Sequence, residues 1–236
     1  MLATSASIVA FSGAGLSAES GVPTFRDAAT SGLWTRYDPA RLASPEGFAA
    51  DPDLVLAWYA DRRRAVARAT PNAAHRALAA RPDIALVTQN VDDLLERAGC
   101  DPTRVVHLHG RIDRDRCHGS CGHEEPIDPA VIVAELRRCP RCGALLRPAV
   151  VWFGEALPPE AWERAVAAMH SADTVIVIGT SGAVWPAAGL VDLARSAGAG
   201  IVVVNPDADP DDNKDHADIV LRGRAGEVLP ALLSGP

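Results

Sequence analysis

The stretch Phe11 to Asp27, "FSGAGLSAESGVPTFRD", decides the fold. It closes an apolar run and sets Gly13, Gly15 and Ala18 in a G-x-G-x-x-A turn, with Ala14 between the glycines. After a strand, such glycines let backbone N–H groups approach a pyrophosphate at a helix N-terminus, where the dipole favours negative charge. Taken alone the pattern is weak, because a glycine-rich strand-to-helix turn without a ligand reads the same way. The continuation is harder to explain. Pro23, Thr24, Phe25 and Arg26 add an aromatic and a cation that a dehydrogenase's first turn does not need.

A dehydrogenase would also carry an acidic residue for the ribose on a second strand, about 20 residues on. Here that region, "SGLWTRYDPARLASP", reads as loop. Beyond it, apolar β-branched runs recur and end in Gly, Asn or Asp: "IALVTQNVD", "RVVHLHG", "TVIVIGTSG", "GIVVVNPD" and "DIVLRG". They are continuous rather than alternating, as strands covered on both faces read. Helical segments such as "AAHRALAA", "VDDLLERAG" and "AAGLVDLARSAG" separate them. The expectation is an α/β fold, a Rossmann-like doubly wound parallel sheet with its chemistry at the strands' carboxyl ends.

Composition agrees with one core-bearing domain and narrows the partners. The chain has 236 residues, is 48% hydrophobic and carries a formal net charge of -7. Its Lys and Arg residues are scattered, which excludes a phosphate-backbone footprint and with it a nucleic-acid partner. The apolar N-terminus has no Lys or Arg before Arg26, so it reads as a first strand rather than a secretory signal. No run approaches the roughly 20 apolar residues of a membrane helix. A soluble, cytoplasmic monomer is expected.

Two segments break the strand–helix rhythm and read as insertions, with a cleft between them and the sheet. Asp38 to Thr70 is helical; Asp113 to Pro148 is Cys-rich and irregular. The boundaries assign 1–37, 71–112 and 149–236 to the sheet domain, 38–70 to a helical insert and 113–148 to a metal-binding insert. In the latter, Cys117 and Cys121 are followed, after 17 residues, by Cys139 and Cys142, close to the zinc-ribbon template. The first pair is one residue wider than Cys-x-x-Cys, so His118 and His123 compete as ligands, ranked below the thiolates. Four thiolates leave no open position, which makes the Zn2+ structural. Cys100 is left to pack.

Polar groups gather at the strand ends: Gln89, Asn90 and Asp92; Gly179, Thr180 and Ser181; Asn205, Pro206 and Asp207. Singly each reads as a strand-end cap. Together they favour a nucleotide cleft, with amides and carboxylates for ribose hydroxyls and a carboxamide. His109, last before Gly110, is placed to accept a proton near neutral pH, ahead of His107 two residues earlier.

These motifs, in this order, resemble the sirtuins, NAD-dependent protein-lysine deacylases. The resemblance runs through "GAGLSAESGVPTFRD", "TQNVD", "HLHG", the Cys pairs, "RPAVVWFGE", "GTS", "VVNPD" and "AGEVLP". It implies that NAD is a co-substrate to be cleaved, with the Pro23–Arg26 loop shielding the ribose carbon after nicotinamide leaves. It adds Glu19, Trp34, Val91 and Ala225 to the NAD-binding set and makes His109 the general base. It makes Val151, Phe153, Gly154 and Glu155 a strand that pairs with an acyl-lysine peptide, the side chains of Trp152 and Phe153 reading as core. The products implied are nicotinamide, 2′-O-acyl-ADP-ribose and free lysine.

In the helical insert an apolar stripe through Val55, Trp58, Tyr59, Ala65, Val66 and Ala69 includes Arg62, while Arg63 and Arg64 read as a solvated face. A structural ion pair or a snorkelling side chain would account for Arg62. Tyr59 and Arg62 also match the sirtuin branch that removes succinyl and malonyl groups beside acetyl. Two departures from the family pattern stand out: Leu95 replaces a usual His, and the loop "FRDAATSGLW" is longer than usual. The rival classes are an ADP-ribosyltransferase and a non-catalytic NAD or ADP-ribose module.

Overall fold

The computed structural model of the chain describes residues 5–23, 38–119, 121–130, 132, 134–208 and 217–234. In chain order the strands are β1 (Ile8–Ser12), β2 (Ile84–Thr88), β3 (Val105–His107), β4 (Gly110–Cys117), β5 (Glu124–Pro126), β6 (Leu146–Val150), β7 (Thr174–Ile178), β8 (Gly200–Val204) and β9 (Ile219–Leu221). The helices are α1 (Gly15–Ala18), α2 (Pro39–Leu42), α3 (Pro45–Ala50), α4 (Pro52–Arg68), α5 (Ala73–Ala79), α6 (Leu94–Arg97), α7 (Pro159–His170), α8 (Gly189–Ser196) and α9 (Ala225–Leu233). Six strands form one parallel sheet in the order β3-β2-β1-β7-β8-β9. The strand order reverses between β1 and β7, which is where such sheets open a ligand crevice.

The apolar runs are explained by burial on both faces. Successive residues of β1 alternate, so Ile8 and Ala10 pack with Leu78 of α5 and Leu229 of α9, while Val9 and Phe11 pack with Met169 of α7 and Leu190 of α8. A fully buried side chain such as Leu78 or Met169 contributes about 1.5–3 kcal/mol. No described helix is long and apolar enough to cross a membrane.

The helical insert is built from capped helices. Ser44 accepts from the Gly47 N–H ahead of α3, and Asp51 accepts from the Leu54 N–H ahead of α4, each with a Pro opening the helix. Within the stretch read as loop, Pro39–Leu42 form the single turn of α2, and Pro45 opens α3. The second insert, read as irregular, holds an antiparallel sheet in the order β5-β4-β6, spanning Gly110 to Val150. The charged sequence of β4, "GRIDRDRC", hides it, because the buried positions include Asp115.

Arg63 corrects the solvated-face reading. It is buried, and its guanidinium donates to the Ile112 and Arg114 carbonyls and to Asp115 Oδ1 at 2.6 Å. It joins α4 to β4, whereas Arg64 pairs with Asp61 on an exposed face. A cluster of Phe48, Trp58, Tyr59, Ile112, Val150 and Trp152 completes that junction.

Candidate active site

The glycine turn does different work from that expected. The Gly13 N–H donates to the Ile178 carbonyl and the Gly15 N–H to the Gly179 carbonyl, while those of Leu16 and Ser17 turn back into α1. The glycines therefore bind the β7 loop. A Cβ on Gly15 would lie 2.6 Å from Gly179 Cα, and one on Gly179, whose φ is +55°, would lie 2.5 Å from Gly15 Cα. Only glycine permits that approach. The Ala14 N–H has no partner among the described residues, and α1 is a single turn, too short to offer the dipole of a long helix.

Around this turn the strand ends converge. Ser12 Oγ donates to Thr88 Oγ1 at 2.9 Å, and the Asn90 N–H donates to the same oxygen at 3.0 Å, bending the chain after β2. Gln89 Nε2 then reaches Thr180 Oγ1 at 3.1 Å, and Asn205 Nδ2 reaches the Thr180 carbonyl at 3.3 Å. Asp207 N–H caps Asn205, and the Pro206 carbonyl accepts from Arg222. Ser181 is exposed beside them.

Glu19 accepts from the Gly226 N–H at 2.7 Å, holding its carboxylate at the start of α9 next to buried Ala225. Ala18 is exposed. Val91 turns its side chain into the insert junction, and its carbonyl accepts from Ile112 N–H. Thr24, Phe25, Arg26 and Trp34 lie outside the described residues.

Ser17 is a residue the sequence did not single out. Its hydroxyl meets Asn90 Nδ2 at 3.2 Å and His75 Nε2 at 3.5 Å, close to the Asp92 carboxyl. Burial raises the Asp92 pKa, against the Ser17 and Leu94 hydrogen bonds that lower it. The signal was a Ser inside an apolar turn facing a polar strand end.

The two histidines after β3 separate cleanly. His107 has both ring nitrogens engaged, Nδ1 at 3.0 Å from the Asn90 carbonyl and Nε2 at 2.9 Å from Glu96 Oε1, itself bonded to Arg111. His109 engages only Nδ1, 3.0 Å from the Gln89 carbonyl. A carbonyl only accepts, so Nδ1 carries the proton and Nε2 keeps its lone pair. Burial lowers the His109 pKa and holds the ring neutral. This is a base with a fixed tautomer.

The residues expected beside a peptide follow directly. The His109 carbonyl accepts from Val151 N–H, and the Ala43 carbonyl accepts from Phe153 N–H, each within 2.9 Å. Glu155 accepts from the Trp152 N–H and pairs with buried Arg147, whose guanidinium stacks 3.9 Å above the Trp152 ring. Gly154 turns the chain at φ +85°. Phe153 stays half exposed, which overturns its reading as a core aromatic, while Trp152 is buried.

In the helical insert, Trp152 Nε1 donates to the Tyr59 hydroxyl at 2.8 Å. Burial raises the Tyr59 pKa to about 12, so the phenol stays protonated. Arg62 lies over the Trp58 ring at 5.1 Å and has no ion-pair partner among the described residues. Burial pulls its pKa down, and the nearby Tyr59 and Asp92 oppose that shift.

Cys117, Cys121, Cys139 and Cys142 bring their sulfurs within 4.8 Å of one another. Zn–S bonds of about 2.3 Å in a tetrahedron set sulfurs about 3.8 Å apart, which fits contacts of 3.4 and 3.5 Å in the cluster. Four thiol donors suit Zn2+ and leave it structural. Neither competing imidazole belongs to the group: His118 packs edge-on against Phe48, and His123 bonds to Glu125.

Comparison with known proteins agrees with this geometry. The family model described as "Sir2 family" matches residues 13–186. The chain belongs to the Sir2 family. A curated relative from Mycolicibacterium smegmatis, named NAD-dependent protein deacylase Sir2, is 48% identical over 96% of this chain and 95% of its own. A solved Sir2 homologue–NAD complex superposes with a TM-score of 0.90 at 47% identity, covering 98% of this chain and 90% of that one. A Sir2 protein bound to acetylated peptide, 28% identical, gives a TM-score of 0.83 over 98% of this chain and 94% of that one. As a Sir2-family member the chain is an enzyme of the NAD-dependent protein deacylase type, with the cleft at the β1/β7 reversal and a four-cysteine zinc site.

Proposed function

We propose that the chain removes acyl groups from protein lysines with NAD as co-substrate, and that it favours succinyl and malonyl groups while retaining deacetylation. NAD lies along the strand ends, its phosphates by Ala14 and its ribose and carboxamide by Gln89, Asn90 and Asp92. The acyl-lysine peptide lies along Val151 to Glu155. Because the N–H groups of Val151, Trp152, Phe153 and Glu155 are already committed, the peptide pairs chiefly by donating its own N–H groups to carbonyls of this segment, which follows β6 without continuing it as a strand.

The reaction balances as follows. The acyl oxygen attacks the ribose C1′, the C1′–N bond breaks and nicotinamide leaves, giving an alkylimidate. His109 Nε2 takes a ribose hydroxyl proton, and the 2′-oxygen attacks the imidate carbon. Water adds, the C–N bond breaks, and lysine departs from 2′-O-acyl-ADP-ribose. The neutral, tautomer-fixed His109 suits the base role.

One observation carries the acyl preference: Arg62 is a partly buried guanidinium without an ion-pair partner among the described residues, beside a phenol that stays protonated. A distal carboxylate would accept from both. The test compares succinyl- and acetyl-lysine peptides with wild type and Arg62→Met, read by mass spectrometry of nicotinamide and acyl-ADP-ribose. Loss of succinyl preference in the variant is expected; its survival would remove Arg62 from acyl recognition.

A further inference from the structure

The contact between Trp152 and Tyr59 reaches beyond core packing. An indole N–H donates and never accepts, so at 2.8 Å the Tyr59 oxygen is the acceptor. That uses an oxygen lone pair and turns the hydroxyl hydrogen away from the indole. Among the described residues the hydrogen finds no acceptor, although Tyr59 is only 2% exposed. A buried hydroxyl proton without an acceptor is costly unless something polar meets it.

Trp152 is itself fixed on several sides. Arg147 stacks on the ring, Phe48 packs at a centroid distance of 5.4 Å, and the Trp152 N–H is held by Glu155, which also binds Arg147. One side chain thus ties the segment after β6 to the phenol beside Arg62. We propose that Trp152 is a positioning residue for acyl selection, orienting the Tyr59 hydroxyl as a donor to the far carboxylate of an acidic acyl group. This rests on the acidic-acyl reading given above for Arg62.

Trp152→Phe keeps an aromatic ring and removes the N–H. It is expected to raise KM for a succinyl-lysine peptide about 10-fold with little change in kcat, and so to lower the succinyl-to-acetyl ratio of kcat/KM several-fold. In a Tyr59→Phe background the same substitution should leave that ratio where Tyr59→Phe put it, since the hydroxyl to be oriented is gone. Equal losses on both peptides, or additive effects of the two substitutions, would overturn the proposal and leave Trp152 a packing residue. Should Trp152→Phe not fold, Tyr59→Phe alone decides, because an unchanged ratio there removes the hydroxyl that Trp152 is said to orient. Arg62→Met separates the two ideas. If it abolishes succinyl preference while Trp152→Phe does not, only the Trp152 role fails; if it has no effect, the acidic-acyl reading fails too.

Discussion

The parallel sheet and the cysteine module are held together by opposite means. The sheet buries apolar side chains on both faces, from Ile8 and Leu86 on one to Phe11 and Val177 on the other. The module's own core is little more than Cys117, Cys139 and Leu146, with Cys121 and Ala144 partly buried against them. Beyond its strand ladder and the ring contact of His118 with Phe48, ion pairs tie it down: Arg63 and Arg137 on Asp115, and Arg137 on Glu125. A region with so little apolar burial needs a metal. His109, placed by the sheet's β3, accepts through its carbonyl from Val151 at the end of the module's β6, so a site built on it is sensitive to both.

Removing zinc should give the largest effect, since structural zinc contributes on the order of 10 kcal/mol to small sites. Under a strong chelator, hydrogen exchange should show loss of protection at Cys117 and Leu146 while Ile176 and Val202 in the sheet stay protected. Turnover should fall with the module, because β6 leads directly into the Val151 to Glu155 segment. Undiminished protection in the module without metal would break the contrast.

Chemistry can be lost without touching either region. His109→Ala should lower turnover about 10²–10⁴-fold, the usual contribution of a general base, with NAD binding and both exchange patterns retained. Turnover near the wild-type rate would remove His109 from the base role. In the wild type, the acid limb of kcat/KM should lie below pH 6.5, because burial lowers the His109 pKa and only the neutral ring accepts a proton.

The sheet was legible because covered parallel strands appear as unbroken apolar runs, and all six runs are strands of the one parallel sheet. The cysteines were legible by spacing. What escaped depends on partners distant in sequence. Gly13 and Gly15 were read as facing a phosphate, and their N–H groups instead meet Ile178 and Gly179. Arg63 was read as solvated because nothing local announces Asp115, and Ser17 gains its role only when Asn90 and His75 arrive beside it. Local pattern carries burial and metal spacing well, and tertiary hydrogen bonds poorly.

Arg63→Met tests the ionic side of the comparison. Removing one member of a buried pair costs about 3–5 kcal/mol, and the low end is expected here because Arg137 still faces Asp115. Pairing the change with Asp115→Leu should recover part of the loss, as apolar replacement of a whole pair does. Urea denaturation of the zinc-loaded protein reads both. A single variant as stable as wild type would show that α4 and β4 are held by the surrounding aromatic cluster alone.

Acid probes the sheet side. His75, a buried residue of α5's first turn, accepts its own helix's capping contact from the Asn72 N–H, and burial lowers its pKa to about 4. The unfolded chain takes up this proton near pH 6.5, while the folded chain resists until about pH 4. The unfolded state therefore binds more protons across that window, and stability falls as the pH drops through it, by about 3 kcal/mol for this one group. Above pH 6.5 both states hold His75 neutral and its contribution is flat. His75→Gln has nothing to titrate, so its urea midpoint should change less between pH 7 and pH 4 than that of wild type, whatever the substitution costs at pH 7. Parallel pH profiles for the two proteins would mean that the ring is protonated in the folded state as readily as in the unfolded one, and that acid, like chelation, acts first on the module.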